Sequence, residues 1–221
     1  MNAIAEGQQE RGPVLDTVER VSEMCFGLFM ALTFVGAVSV ATADDPNPSR
    51  TMFAAALGCN LAWGLVDAVM YLVRTLTDRG KRLSTALAVK NARDPAAGRL
   101  ALAESLAPAS RSLVGDAELE AIRARVASAE LPARPRLHGR DYGGAIGIFC
   151  IVVATTFPVA LPFLIFEVKT GLVVSRALTL VMLFGGGLAL GHYAGFGGWK
   201  AGLGMTALGV VLTMAIIALG G

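Results

Sequence analysis

The chain has 221 residues, 54% of them hydrophobic and 16% charged, with a mean hydropathy of +0.60 and a formal net charge of +2. A soluble domain carries about 25% charged residues, so the composition argues against one, and so small a net charge points to no nucleic-acid partner. The charges are also segregated: twelve of the nineteen Lys and Arg residues lie between Arg79 and Arg140, and basic clustering beside apolar runs is a topology signal.

Residues 1–23 are mostly polar and mix Glu6, Glu10, Asp16 and Glu19 with Arg11 and Arg20. They lack the basic start, short apolar stretch and small-residue cleavage site of a signal peptide. The first helix is therefore expected to stay as an anchor. Five apolar stretches follow, each close to the roughly 20 residues that a spanning helix needs. They are Met24 to Thr42, Met52 to Val73, Tyr142 to Phe166, Ala177 to Ala194, and Ala201 to Leu219. The expected fold is an all-α membrane protein of five transmembrane helices, with a small helical cytoplasmic insert between helices 2 and 3. The divisions are a cytoplasmic segment over 1–23, helices 1 and 2 over 24–78, the insert over 79–141, and helices 3 to 5 over 142–221.

The turn Ala43-Asp44-Asp45-Pro46-Asn47-Pro48 reads as a tight hairpin between helices 1 and 2. In the second helix, Asp67 is the main functional signal, because a charge inside a bilayer is costly and usually serves a pathway or a partner. Asn60, Trp63, Gly64, Met70, Tyr71 and Arg74 lie three, four or seven positions from it, at helical spacing. Glu23, Gly27, Met30 and Phe34 form a weaker stripe on the first helix. Together the stripes offer carboxylates, an amide and methionine sulfur. Oxygen ligands suit Mn²⁺ or Fe²⁺, and methionine tolerates softer ions. Glu23, Asn60, Asp67, Met70 and Met30 are thus the candidate ion pathway, with Glu23 and Asp67 the candidate metal ligands. The competing reading makes Asp67 structural, satisfied by Arg74, Tyr71 or a neighbouring helix.

In the insert, Asp116 is expected to cap a helix whose apolar face is Leu119, Ile122 and Val126, stopped by Pro132 and Pro135. Shorter helices are expected around Leu83 to Arg93, ended by Asp94-Pro95, and over Leu100 to Leu106. The insert reads either as a docking or ion-collecting domain or as a solvated connector. The three cysteines, Cys25, Cys59 and Cys150, have no CxxC spacing and read as buried apolar residues. In the third helix, Pro158 and Pro162 are four apart, a spacing that kinks a spanning helix and frees carbonyls. Gly187, Gly191 and Gly195, continued by Gly198 and Gly202, form a small-residue ridge for close helix packing. No HExxH or GxSxG motif is present, and no enzyme is expected. If the basic insert is cytoplasmic, so is the N-terminus, and the C-terminus faces outside.

The Pro158-x-x-x-Pro162-Phe163 segment resembles the third spanning helix of the vacuolar iron transporter family. Val21-Ser22-Glu23, with Asp16 seven residues earlier, resembles the start of that family's first helix, where an acid at the Glu23 position lines the ion path. The resemblance runs from about Asp16 to Gly221 and rests on order and topology as much as on motifs. It implies a homodimer that transports Fe²⁺ or Mn²⁺, with coupling to protons, in a membrane expected to be a bacterial inner membrane, and with no tightly bound cofactor. Two departures stand against it. The family's glutamate in the second helix corresponds to Asn60, and its methionine falls near Ala68 rather than Met70. The family's glutamate-rich insert is here net positive: between Arg79 and Arg140 twelve basic residues stand against Asp94, Glu104, Asp116, Glu118, Glu120 and Glu130. The alternative function is a non-transporting membrane scaffold that holds a protein partner through its basic insert.

Overall fold

A computed structural model of the chain describes residues 15–41, 46–195 and 197–218. Most of the N-terminal segment, Ala43 to Asp45 of the expected hairpin, and Leu219 lie outside them. The described residues are helical, with no strand among them. The helices are α1 Thr17–Ala41, α2 Pro48–Lys90, α3 Pro95–Ser105, α4 Pro108–Arg111, α5 Asp116–Ser128, α6 Gly139–Ala160, α7 Pro162–Ile165, α8 Val168–Ala194 and α9 Gly198–Ala218. Five of the described helical segments are long and apolar enough to cross a membrane: α1, α2, the α6–α7 stretch, α8 and α9. That is the architecture of an integral membrane protein.

The chain forms two compact units. One lies within Val14–Tyr71 and Tyr142–Gly221, the other within Leu72–Asp141. The first unit holds the apolar helices. Asp16 and Glu19 open α1 with a reciprocal capping box: the Glu19 amide donates to Asp16 Oδ1 at 2.7 Å and the Asp16 amide to Glu19 Oε2 at 2.8 Å. The core gathers Cys25, Leu28, Ala31 and Val35 of α1, Met52 and Ala56 of α2, Val159 and Ala160 of α6, Phe163 of α7 and Leu183 of α8. The outward faces are also apolar: Leu65, Ile146, Val181, Val211 and Met214 are all exposed. A soluble protein would hide such side chains, whereas a lipid-facing surface requires them.

Glycine sets the α8–α9 packing. A Cβ on Gly187 would lie 2.7 Å from the Ala201 carbonyl oxygen and from Gly202 Cα. One on Gly191 would lie 2.9 Å from Gly198 Cα. Only hydrogen fits where the two backbones touch. Phe184 and Trp199 add an edge-to-face contact, ring centroids 5.0 Å apart. Gly195, expected in this ridge, has another task. It caps α8 at φ 74°, in the left-handed region that favours glycine.

Several boundaries differ from expectation, among them the start of α1, at Thr17 rather than Met24. Helix α2 does not end with its apolar run near Val73 but continues to Lys90, 43 residues in all. The stretch 74–90 has no proline, and its one glycine, Gly80, costs only about 1 kcal/mol in a helix; the first firm stop is Asp94-Pro95. Helix α8 begins at Val168, nine residues before the expected start at Ala177. The kink at the two prolines is a break: α6 runs through Pro158, ends at Ala160, and resumes as α7 from Pro162. Pro162 has no N–H to continue the ladder. The Ser175 hydroxyl of α8 reaches across and donates to the Val159 carbonyl at 2.7 Å, beside the break.

The second unit packs α3 against α5 around Leu102, Ala103 and Leu119, with Val89 of α2 in the same cluster. Asp94 caps α3, its Oδ1 accepting from the Ala97 amide at 2.7 Å, with Pro95 at the first helical position. Gly115, not Asp116, occupies the cap of α5. Leu119 and Val126 face the core as expected, but Ile122 is exposed, and Arg123 takes the inner position against Gly98. Arg123 can lie there because its guanidinium is held by Glu120 at 2.6 Å, and Arg99 of α3 holds the same carboxylate at 3.1 Å. Hydrogen bonds from Arg123 and then Arg99 pull the Glu120 carboxyl down to about 2 from an ordinary 4.5.

Candidate functional site

The apolar unit contains one polar seam, where α1, α2 and α6 meet. Asn60 of α2 sits at its centre, 1% exposed. Its Nδ2 donates to Thr156 Oγ1 of α6 and, at 3.4 Å, to the Gly27 carbonyl of α1. Thr155 and Thr156 are buried beside it, each donating its hydroxyl back to the Val152 carbonyl, at 2.9 and 3.0 Å. Small residues allow this approach. A Cβ on Gly27 would meet Thr155 Oγ1 at 2.8 Å, and one on Gly64 would meet Phe149 and Val152 of α6 at 3.3 and 3.5 Å. Asn60 Oδ1 is buried and has no hydrogen-bond partner among the described residues. Such an orphaned acceptor costs about 1–3 kcal/mol, so the chain bears a penalty at the point where three helices cross.

The expected pathway residues distribute around this seam in two groups. Asn60 and Gly64 are buried, and Asp67 and Tyr71 are half-buried, with Asp67 Oδ2 itself shielded from solvent. Trp63 and Met70, by contrast, are both 45% exposed. Helical geometry gives the reason. At 3.6 residues per turn, Asn60, Gly64 and Tyr71 fall about 20–60° to one side of Asp67, and Trp63 and Met70 about 40–60° to the other. The stripe is therefore narrower than its offsets suggest, and Met70 points away from the seam. On α1, Glu23 and Met30 are half-buried on either side of the buried Gly27. Thr155 and Thr156 are not among the residues expected at the site. Their signal was a pair of adjacent hydroxyls inside an otherwise apolar span.

Pro158 and Pro162 lie just beyond the seam on the same helix, where Ser175 and Thr179 of α8 are also buried. Cys25 is buried, Cys59 half-buried and Cys150 exposed; all three are free thiols. Among the described residues no three His, Cys, Asp or Glu side chains cluster as a metal site. A cation in the seam would meet mainly neutral oxygen: an amide, hydroxyls and a backbone carbonyl, with the Asp67 carboxylate two turns along α2.

The fold and this seam define the class: a helical membrane protein of five candidate spans with an oxygen-lined junction in its apolar unit. The chain matches no protein-family model and no curated protein.

Proposed function

We propose that the chain is a transporter of a divalent metal cation, with Fe²⁺ or Mn²⁺ as substrate and Glu23, Asn60 and Asp67 on its path. The observation that carries the reading is the buried Oδ1 of Asn60, which has no hydrogen-bond partner among the described residues. An amide oxygen held between two helices without a donor is an acceptor available to a partly dehydrated cation. The Gly27 carbonyl and the hydroxyls of Thr155 and Thr156 supply further oxygens. Glu23 and Asp67 add titratable carboxylates, as exchange against protons requires. The resemblance to the vacuolar iron transporter family supports the same reading and adds a homodimer, for which the exposed apolar faces leave room. Met30 belongs beside the path and Met70 outside it.

The test is uptake of Mn²⁺ and Fe²⁺ into proteoliposomes. Asp67→Asn is expected to abolish uptake while the purified protein keeps its thermal transition. Uptake equal to the parent would remove Asp67 from the path. The second reading, a non-transporting scaffold, is favoured by one specific observation: the insert carries twelve basic residues and repels the cations that a transporter would collect. It predicts no uptake by the parent protein at any pH.

A further inference from the structure

The second unit contains a cavity of about 750 Å³. Its walls come from the distal part of α2, from the proline-rich segment 131–138, and from the first turn of α6. Five arginines line it: Arg79, Arg82, Arg134, Arg136 and Arg140. His138 joins them, and Asp141 is the one carboxylate among the described lining residues.

That carboxylate is already engaged. Arg79 grips it with both terminal nitrogens, at 2.6 and 2.7 Å, and the His138 amide donates to it at 2.6 Å. Asp141 is 8% exposed, so the pair is shielded and fixed. Arg79 Nη1 also donates to the Arg136 carbonyl at 2.7 Å and contacts His138 Nδ1 at 2.9 Å, which ties the proline segment to α2. Pro135 packs over Gly80 at the same level. Asp141 and Arg79 thus build the wall and cancel each other's charge. Arg82, Arg134 and Arg136 remain, with no second carboxylate among the described lining residues to offset them. Three guanidinium groups around one cavity are a strong anion field, and the planar fork of arginine matches the oxygens of a phosphate.

We propose that this cavity binds a phosphate group. Its place along the chain says where such a group would come from. Arg79 and Arg82 follow the apolar run of α2, which ends near Val73, by about 9–14 Å of helix. Arg140 stands two residues before Tyr142, where the next apolar run begins. Basic clusters at that distance from a span lie at the level of lipid headgroups. The same chemistry would also take a soluble phosphate. The proposal is independent of cation transport, since it uses no residue of the seam.

The test uses the full-length protein in two settings. In phosphatidylcholine nanodiscs, 20% phosphatidylglycerol is added and the thermal transition is followed. In detergent, inorganic pyrophosphate is titrated against chloride at constant ionic strength. A rise in transition temperature with phosphatidylglycerol alone assigns a lipid headgroup; a rise with pyrophosphate as well assigns a soluble phosphate. The double variant Arg82→Gln/Arg136→Gln is expected to weaken the response about tenfold or more, because each charge-assisted contact is individually strong. Both side chains are exposed and leave the Arg79–Asp141 pair intact. Arg125→Gln, on an exposed position outside the cavity, is expected to leave the response unchanged. No response to either phosphate would overturn the proposal. So would a response that the double variant retains in full, or that Arg125→Gln reduces equally.

Discussion

Asn60 shows how one side chain can serve two ends at once. Its Nδ2 joins α1 to α6, and its Oδ1 is left with no hydrogen-bond partner among the described residues. Replacing it with leucine removes both the donor and the acceptor at nearly constant volume. Side-chain hydrogen bonds between membrane helices average only about 0.6 kcal/mol, so Asn60→Leu is expected to shift the thermal transition little. On the transport reading it should nevertheless abolish cation uptake. A variant that loses stability and uptake in proportion would make Asn60 a structural residue. Gly27→Ala probes the same junction by crowding: its Cβ would meet a hydroxyl that is already committed to the Val152 carbonyl. Overpacking of this kind costs about 1–3 kcal/mol, measurable as a lower transition temperature in detergent. Asp67 and Asn60 were both legible in the sequence, because polar residues are conspicuous in an apolar span. Which side of the stripe faced inward was not, since Gly64 and Met70 differ only by the sign of their offset from Asp67.

At the scale of helices, the lengths of the apolar runs were informative and their ends were not. The span of α9 starts within a few residues of its hydrophobic stretch, but α1 begins seven residues ahead of its own, at Thr17, and α2 runs on well past its stretch. Hydropathy reports where a helix may meet lipid, whereas a helix stops where the backbone ladder is broken. Ile122 yields the inner face to Arg123 for a related reason: the arginine's aliphatic stem can cover Gly98 while its head stays paired. That pairing has a pH signature. The folded pKa of Glu120 is depressed, so its stabilising effect is complete above about 4.5 and is lost as pH falls towards about 2. Amide protection in α3 and α5, corrected for intrinsic exchange, is therefore expected to decline over that interval, and Glu120→Gln should flatten the decline. Between α8 and α9, Gly187→Ala would drive a methyl into backbone and cost about 1–3 kcal/mol. Gly204→Ala has open space and is the matched control, neutral or slightly stabilising. Equal losses at both positions would show that the contact at Gly187 is not what binds the two helices.

For the whole molecule, the charge pattern yields a topology that accessibility can check. In a background with Cys25, Cys59 and Cys150 replaced by alanine, cysteine is placed at Leu113 of the insert or at Thr170, both exposed. An impermeant maleimide should label Thr170→Cys in intact cells and Leu113→Cys only in inverted vesicles; the reverse pattern would invert the orientation drawn from the basic residues. The helical membrane architecture was evident from composition and span length, because lipid imposes both. The basic cavity was not, since Arg79 and Asp141 are 62 positions apart and only the fold brings them together. The glycine contact between α8 and α9 carries one last implication. Where two backbones touch with no side chain between them, no file of water can thread. On the transport reading that contact would act as a seal, and a leak through it is the failure to look for in any variant that pushes α8 and α9 apart.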